Sequence, residues 1–208
     1  MRRMEFPKLA TVKYADFRKD IRTGDLLMCS GTSWVSRFIQ RVTESVWSHV
    51  AVVVRADSIG RIIIMESVES IGVRAIALSK YLTDYNGSGA GYPGGVVIAR
   101  HSEARNCEIA ADIMMGQFAV DHLGYQYDTA ELMKILGRIV NSVSPLIPWT
   151  VGEQKALLPN REYSCAEYAY ECLSAMRLKV TPDVLGFISP ANFADDERIE
   201  LLAVLKRP

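Results

Sequence analysis

The sequence predicts an α+β fold in which a small antiparallel sheet packs against helices. Three observations lead there. Residues 49–55 (HVAVVVR) and 61–66 (RIIIME) are β-branched runs separated by ADSIG, the pattern of an antiparallel hairpin. Residues 105–123 and 131–140 carry apolar side chains at helical spacing. Strands and helices follow one another in mixed order, without the regular alternation of a parallel βαβ sheet.

Taken in order, residues 24–29 (GDLLMC) read as a short strand after a Gly-Asp turn. Trp34, Phe38, Ile39 and Val42 then recur at helical spacing, with Thr32 or Ser33 as the N-cap. The hairpin follows, and residues 96–100 (VVIAR) form a third strand. The glycine-rich DYNGSGAGYPGG before that strand reads as a surface loop or a lid over a cleft; it lacks the Gly-Lys-Ser/Thr ending of a phosphate-binding loop. In the helix 105–123, Ile109, Ile113, Gly116, Val120 and Leu123 share the face expected to be buried. The second helix, 131–140, places Leu132, Ile135, Leu136 and Ile139 alike, and 144–162, with three prolines, reads as an irregular connection. A helix runs from about Cys165 to Met176, capped by Ser164, while 199–205 (IELLAVL) suits a terminal strand or a helix equally.

A chain of 208 residues with 49% hydrophobic and 23% charged residues has the composition of one soluble domain, taken as 1–208. Lys+Arg and Asp+Glu both number 24, so net charge directs the protein neither to nucleic acid nor to an anionic membrane. No apolar stretch approaches the ~20 residues of a membrane span. The opening MRRMEFPKLATVKYADFRKD has no hydrophobic run behind its arginines, so a cytoplasmic location is expected. Oligomeric state leaves no mark in the sequence.

The four cysteines, Cys29, Cys107, Cys165 and Cys172, form no Cys-x-x-Cys pair and read as reduced thiols. Cys165 stands apart because it opens a helix. There, unpaired backbone N–H groups and the helix dipole favour a thiolate and can stabilise an oxyanion. Cys172, seven residues on, belongs to an apolar stripe with Tyr168, Ala169 and Met176, and Cys29 and Cys107 read as small hydrophobes.

A nucleophilic thiol needs a base, and the chain has three histidines. His49 opens a β-branched strand, a rigid mount; His101 follows a strand, and His122 reads as a helix C-cap beside Gly124. Glu66 ends the strand that pairs with the His49 strand. If paired residue numbers sum to about 115, the two stand directly opposite; a one-residue slip pairs His49 with Ser67 and turns Glu66 away. Both registers fit the turn. Glu69, past the strand, is a weaker candidate.

Four segments now resemble the permuted papain-like amidases, the YiiX-like branch of the NlpC cell-wall peptidase superfamily: GDLLMCSG with the helix to Gln40, WSHVAVVV, IIIMES and SCAEYAYECL. The segment YQYDT, with Tyr127 and Asp128, is similar too. Together they span most of the chain from Gly24 to Leu173, and their order, histidine and glutamate before cysteine, is the permuted one. The resemblance implies a circularly permuted papain-like fold, with a small antiparallel sheet packed against the cysteine helix. It implies Cys165 as nucleophile, His49 as general base and Glu66 as its orienting group.

The expected chemistry is acyl transfer through a thioester on a small peptide, amide or ester substrate, with no metal and no organic cofactor. Trp34 and Tyr163, near the site in sequence, are candidate substrate-binding residues or else core aromatics. Other readings are a lipid or amine acyltransferase using the same residues, a non-catalytic binding module on the same fold, and a metal site on His49, Glu66 and Cys165.

Overall fold

The computed structural model describes residues 5–107, 109–128, 162–183 and 186–208. The expected helix at 131–140 and nearly all of the 144–162 connection lie outside them. Along the chain run α1 (Tyr14–Phe17), β1 (Leu26–Gly31), α2 (Trp34–Val42), β2 (His49–Ala56), β3 (Arg61–Val68), β4 (Gly72–Ala77), α3 (Leu78–Thr83) and β5 (Gly94–His101). Then come α4 (Ile109–Asp121), the short strands β6 (Gln126–Tyr127) and β7 (Glu162–Tyr163), α5 (Cys165–Ala175), α6 (Pro190–Asp195) and β8 (Ile199–Lys206). The ambiguous C-terminal segment is therefore a strand.

Six strands form one antiparallel sheet in the order β4-β3-β2-β1-β5-β8. Its central strands read as unbroken apolar runs because both faces are covered, not one. On one face Met28, Val50, Val52 and Met65 pack against Ala169 and Leu173 of α5. On the other, Cys29, Ala51, Val53 and Ile64 meet Leu78 and Tyr81 of α3 and Tyr92 of the glycine-rich loop. That loop is thus wall as well as surface: Tyr92 is buried, and its N–H bonds the Tyr81 carbonyl at 2.9 Å.

The hairpin register differs from both expected ones. Val52 pairs with Met65 and Val53 with Ile64, two residues displaced from direct opposition of His49 and Glu66. An even displacement preserves the face, so the two residues become diagonal neighbours on one side of the sheet. The turn between them is a 3-10 turn, Asp57–Ile59, closed by Gly60 in the left-handed region at φ 59°.

The buried face of α4 also differs. Ile109 is 80% exposed, and Ile113, Val120 and Leu123 lie outward with it, whereas Met115 and Ala119 are buried. This helix is apolar nearly all round, so its periodicity does not choose a face. The small side chain of Ala119 lets α5 approach closely, and Tyr168 Oη donates to the Ala119 carbonyl at 2.8 Å.

Candidate active site

Three strand ends and one helix end converge at one edge of the sheet: the close of β1, the start of β2, the close of β3 and the first turn of α5. They enclose a cleft of about 190 Å³ lined by His49 and Cys165, with Val35 and Ile39 of α2, Tyr92 and Tyr127 among its walls. Gly31 also lines it, and a Cβ there would strike Ser36 Oγ and come within 2.7 Å of the Tyr92 hydroxyl, so a larger residue would have to displace both side chains. The Gly31 N–H is fixed by Ser48 Oγ at 2.9 Å, and Gln40 Nε2 donates to the carbonyls of Gly31 (3.1 Å) and Val46 (2.8 Å).

Cys165 is the first residue of α5 and is 5% exposed. Its helix starts with a capping box: Glu167 N–H donates to Ser164 Oγ at 3.2 Å, and Ser164 N–H donates to Glu167 Oε2 at 3.0 Å. The sequence supplies this cap as Ser164-x-x-Glu167. The approach to the cysteine is tied to the sheet by the Ser67 hydroxyl, which donates to the Tyr163 carbonyl at 2.6 Å. Tyr127 reaches the cleft because β6 pairs with β7 just before Cys165.

His49 Nε2 lies 2.7 Å from Glu66 Oε2. The Glu66 side chain is fully buried and carries three further bonds: Arg74 Nε (2.8 Å) and Nη2 (2.6 Å) donate to Oε1, and the Tyr81 hydroxyl donates to Oε2 at 3.3 Å. Burial pushes the Glu66 pKa up, but His49 and then Arg74 outweigh it and hold the carboxyl below its ordinary value. An ionised carboxylate only accepts, so Nε2 carries the proton and donates. Burial likewise disfavours the His49 imidazolium, yet the Cys165 sulfur, by charge and by hydrogen bond, and then Glu66 push its pKa up to about 10.

Arg74 escaped the sequence reading. It stands directly across from Glu66 in the β3–β4 ladder. Its Nη1 donates to Asn86 Oδ1 at 2.6 Å, and its guanidinium lies over the Tyr85 ring, 5.2 Å from the centroid. One signal pointed to it: a carboxylate after an apolar run requires a buried partner.

The remaining expected residues are placed elsewhere. Trp34 is 79% exposed on the first turn of α2, and Tyr163 stacks among His122, Tyr125 and Tyr168, so neither lines the cleft. Glu69 follows β3 and does line it, without bonding His49. His101 is buried within β5, not in a loop, with Nδ1 accepting from Glu103 N–H (3.2 Å) and Nε2 facing the Lys179 carbonyl (3.0 Å). His122 Nδ1 meets the Phe118 carbonyl at 2.7 Å. All four cysteines are free thiols; Cys29 and Cys172 are buried and burial raises the pKa of each.

Among the described residues no three His, Cys, Asp or Glu side chains are gathered to hold a metal ion, and no helix is long and apolar enough to cross a membrane. Both oxygens of Glu66 are already occupied by hydrogen bonds, which leaves His49, Glu66 and Cys165 a poor ligand set.

No curated protein matches the sequence. Among solved structures, the crystal structure of metalloprotein yiiX from Escherichia coli O157:H7 is similar in fold at a TM-score of 0.60 and 16% identity, covering 90% of this chain and 98% of that one. The fold is thus the permuted papain-like one, with its antiparallel sheet. The model of the permuted papain-like amidase enzymes, the YaeF/YiiX C92 family, matches residues 20–134, which include His49 and Glu66 but stop short of Cys165. On that match the chain belongs to this family of papain-like cysteine amidases.

Proposed function

We propose that this cysteine hydrolase cleaves an amide, peptide or ester bond through a thioester acyl-enzyme, with Cys165 as nucleophile, His49 as general acid and base, and Glu66 holding the imidazole. One observation carries the reading. The His49 ring is anchored through Nε2 to a buried, ionised carboxylate, and it lines one cleft with a sulfur in the first turn of a helix, the sulfur that raises its pKa.

With Nε2 committed to Glu66, Nδ1 is the ring nitrogen left to serve the sulfur. An imidazolium there and the helix N-terminus both favour the thiolate. The sulfur attacks the carbonyl carbon and the π pair moves to oxygen. The Cys165 N–H, which its helix cannot pair, donates to that oxyanion. As the tetrahedral adduct collapses, Nδ1–H protonates the departing nitrogen or oxygen and a thioester remains. Water, losing a proton to Nδ1, attacks the thioester; the acid leaves and the proton returns to the His49–Cys165 pair.

The test is the pH dependence of iodoacetamide alkylation, read site by site by mass spectrometry. Cys165 should label ahead of Cys107 at pH 5.5–6.5, where ordinary thiols are protonated, and His49→Ala should slow it about a hundredfold. Labelling of Cys165 at the rate of Cys107, or indifference to His49→Ala, overturns the assignment and favours a binding module.

A second reading, an acyltransferase, has one observation in its favour: Val35 and Ile39 of α2 give the cleft an apolar wall. Offering an ester donor with competing amines separates the two, since a transferase diverts the acyl group from water.

A further inference from the structure

Glu69 is the ionisable group in the cleft that the proposed chemistry leaves unused. Among the described residues lining the cleft it is the sole acidic side chain, and His49 is the sole basic one. In the thiolate–imidazolium form, Cys165, His49, Glu66 and Arg74 carry two charges of each sign and cancel. Glu69 then leaves the described residues of the cleft with a net negative charge. No Lys or Arg of the described residues bonds it; it is attracted through space to His49, whose Nε2 is already taken by Glu66. Val68, Tyr85 and Pro93 line the same cleft and exclude part of its water. Glu69 is exposed at the edge of the cleft, yet partial burial of its carboxyl still raises its pKa, so the attraction to His49 is not full compensation. A cation entering the cleft supplies it, and an anion meets repulsion.

We infer that the cleft selects substrates bearing a positive charge, an ammonium or guanidinium group near the scissile carbonyl, and that Glu69 is the residue that receives it. The inference rests on Cys165 being the nucleophile. It narrows the amide, peptide and ester substrates above to those with a basic group beside the reacting bond, and it disfavours acyl groups that carry a carboxylate there.

Charge-matched thiol reagents test it on the intact protein. Wild type, Glu69→Gln and Glu69→Lys are treated with 2-aminoethyl (cationic), methyl (neutral) and 2-sulfonatoethyl (anionic) methanethiosulfonates, and modification of Cys165 and Cys107 is timed by mass spectrometry. In the wild type the cation-to-anion rate ratio at Cys165 should exceed that at Cys107. Glu69→Gln should lower it about five- to tenfold, and Glu69→Lys should lower it further, the range for a partly screened charge at cleft distances. A matching hydrolysis assay compares p-nitrophenyl esters of glycine and N-acetylglycine. Glu69→Gln should raise KM for the ammonium ester relative to the acetylated one, while the kcat ratio holds. If the neutral reagent does not single out Cys165 in the wild type, the nucleophile assignment fails and takes this inference with it. If it does, but the charge ratios and the KM ratio are the same in all three proteins, the selectivity alone is overturned.

Discussion

Asp25 and Glu66 are both desolvated carboxylates paired to an arginine, and they differ in how their oxygens are shared. At Asp25, Arg100 bonds both oxygens, Nε to Oδ1 (2.6 Å) and Nη2 to Oδ2 (2.8 Å), and the Arg22 N–H completes Oδ2 at 2.8 Å. The partners are a guanidinium and a turn amide, neither of which titrates in the ordinary range. At Glu66 both guanidinium bonds fall on Oε1, which leaves Oε2 for His49 and Tyr81. The electrostatic outcomes are opposite. Burial outweighs Arg100 and raises the Asp25 pKa, whereas His49 and Arg74 together outweigh burial and lower that of Glu66. An arginine confined to one oxygen frees the other to hold a proton carrier, and at Glu66 that carrier, His49, with Arg74 keeps the buried carboxylate charged. An arginine spread over both makes a strut.

The largest effect that distinguishes these roles is expected from Glu66→Gln. It keeps the side-chain shape but removes the charge that fixes the His49 tautomer. Hydrolysis and Cys165 alkylation should both fall about a hundredfold or more. The pH dependence of stability should change as well. The His49 pKa is raised in the folded protein to about 10, so its contribution is complete below the ordinary histidine value of 6.5 and is lost as pH rises towards 10. Urea midpoints measured at pH 8.5 and 10 should fall along this series in the wild type, and the fall should be smaller in the variant. A Glu66→Gln protein that alkylates at the wild-type rate would reduce Glu66 to a second strut.

Asp25→Asn is the counterpart. It strands the buried Arg100 opposite a neutral amide and should cost about 3 kcal/mol of unfolding free energy. The rate at Cys165, measured on folded protein, should stay within a factor of about two, since the Asp25–Arg100 pair makes no bond to the cleft. Equal losses of rate in the two variants would show that the carboxylates share one role.

Much of this contrast was legible in the chain, and the parts that were not have definite causes. Cys165 was separable because Ser164 reads as the cap of a helix that starts at a cysteine. His49 and Glu66 were separable because each closes or opens a β-branched run. Their relative register was not, since it is set by the 3-10 turn and the left-handed Gly60, and the apolar pattern is silent on turn shape. Arg74 sits in GVRAIA, too mixed to read as a strand, and its partner is chosen by the β3–β4 ladder. Trp34 and Tyr163 were nominated by nearness in sequence. The fold instead sends one outward and uses the backbone of the other, whose carbonyl receives the Ser67 hydroxyl. On α4 the pattern showed apolar residues all round and could not reveal that Ala119, being small, is the side α5 approaches.

The smallest effect concerns the other half of the site, where the sulfur is placed by a helix and not by a charge pair. Ser164→Ala removes the hydroxyl that accepts from Glu167 N–H, and Glu167 keeps its bond to the Ser164 N–H position. Loss of such a cap costs about 1 kcal/mol. If the first turn frays as a result, the Cys165 N–H and the sulfur lose their fixed relation to His49, and alkylation should slow about three- to fivefold, with the His49-dependent part intact. Thermal unfolding and site-resolved alkylation of Ser164→Ala, alone and combined with Glu66→Gln, measure this. Additive losses in log rate mean that the helix positions the sulfur and the carboxylate positions the base independently. A double variant no slower than Glu66→Gln alone would mean that the helix start matters only while the imidazole is held in place.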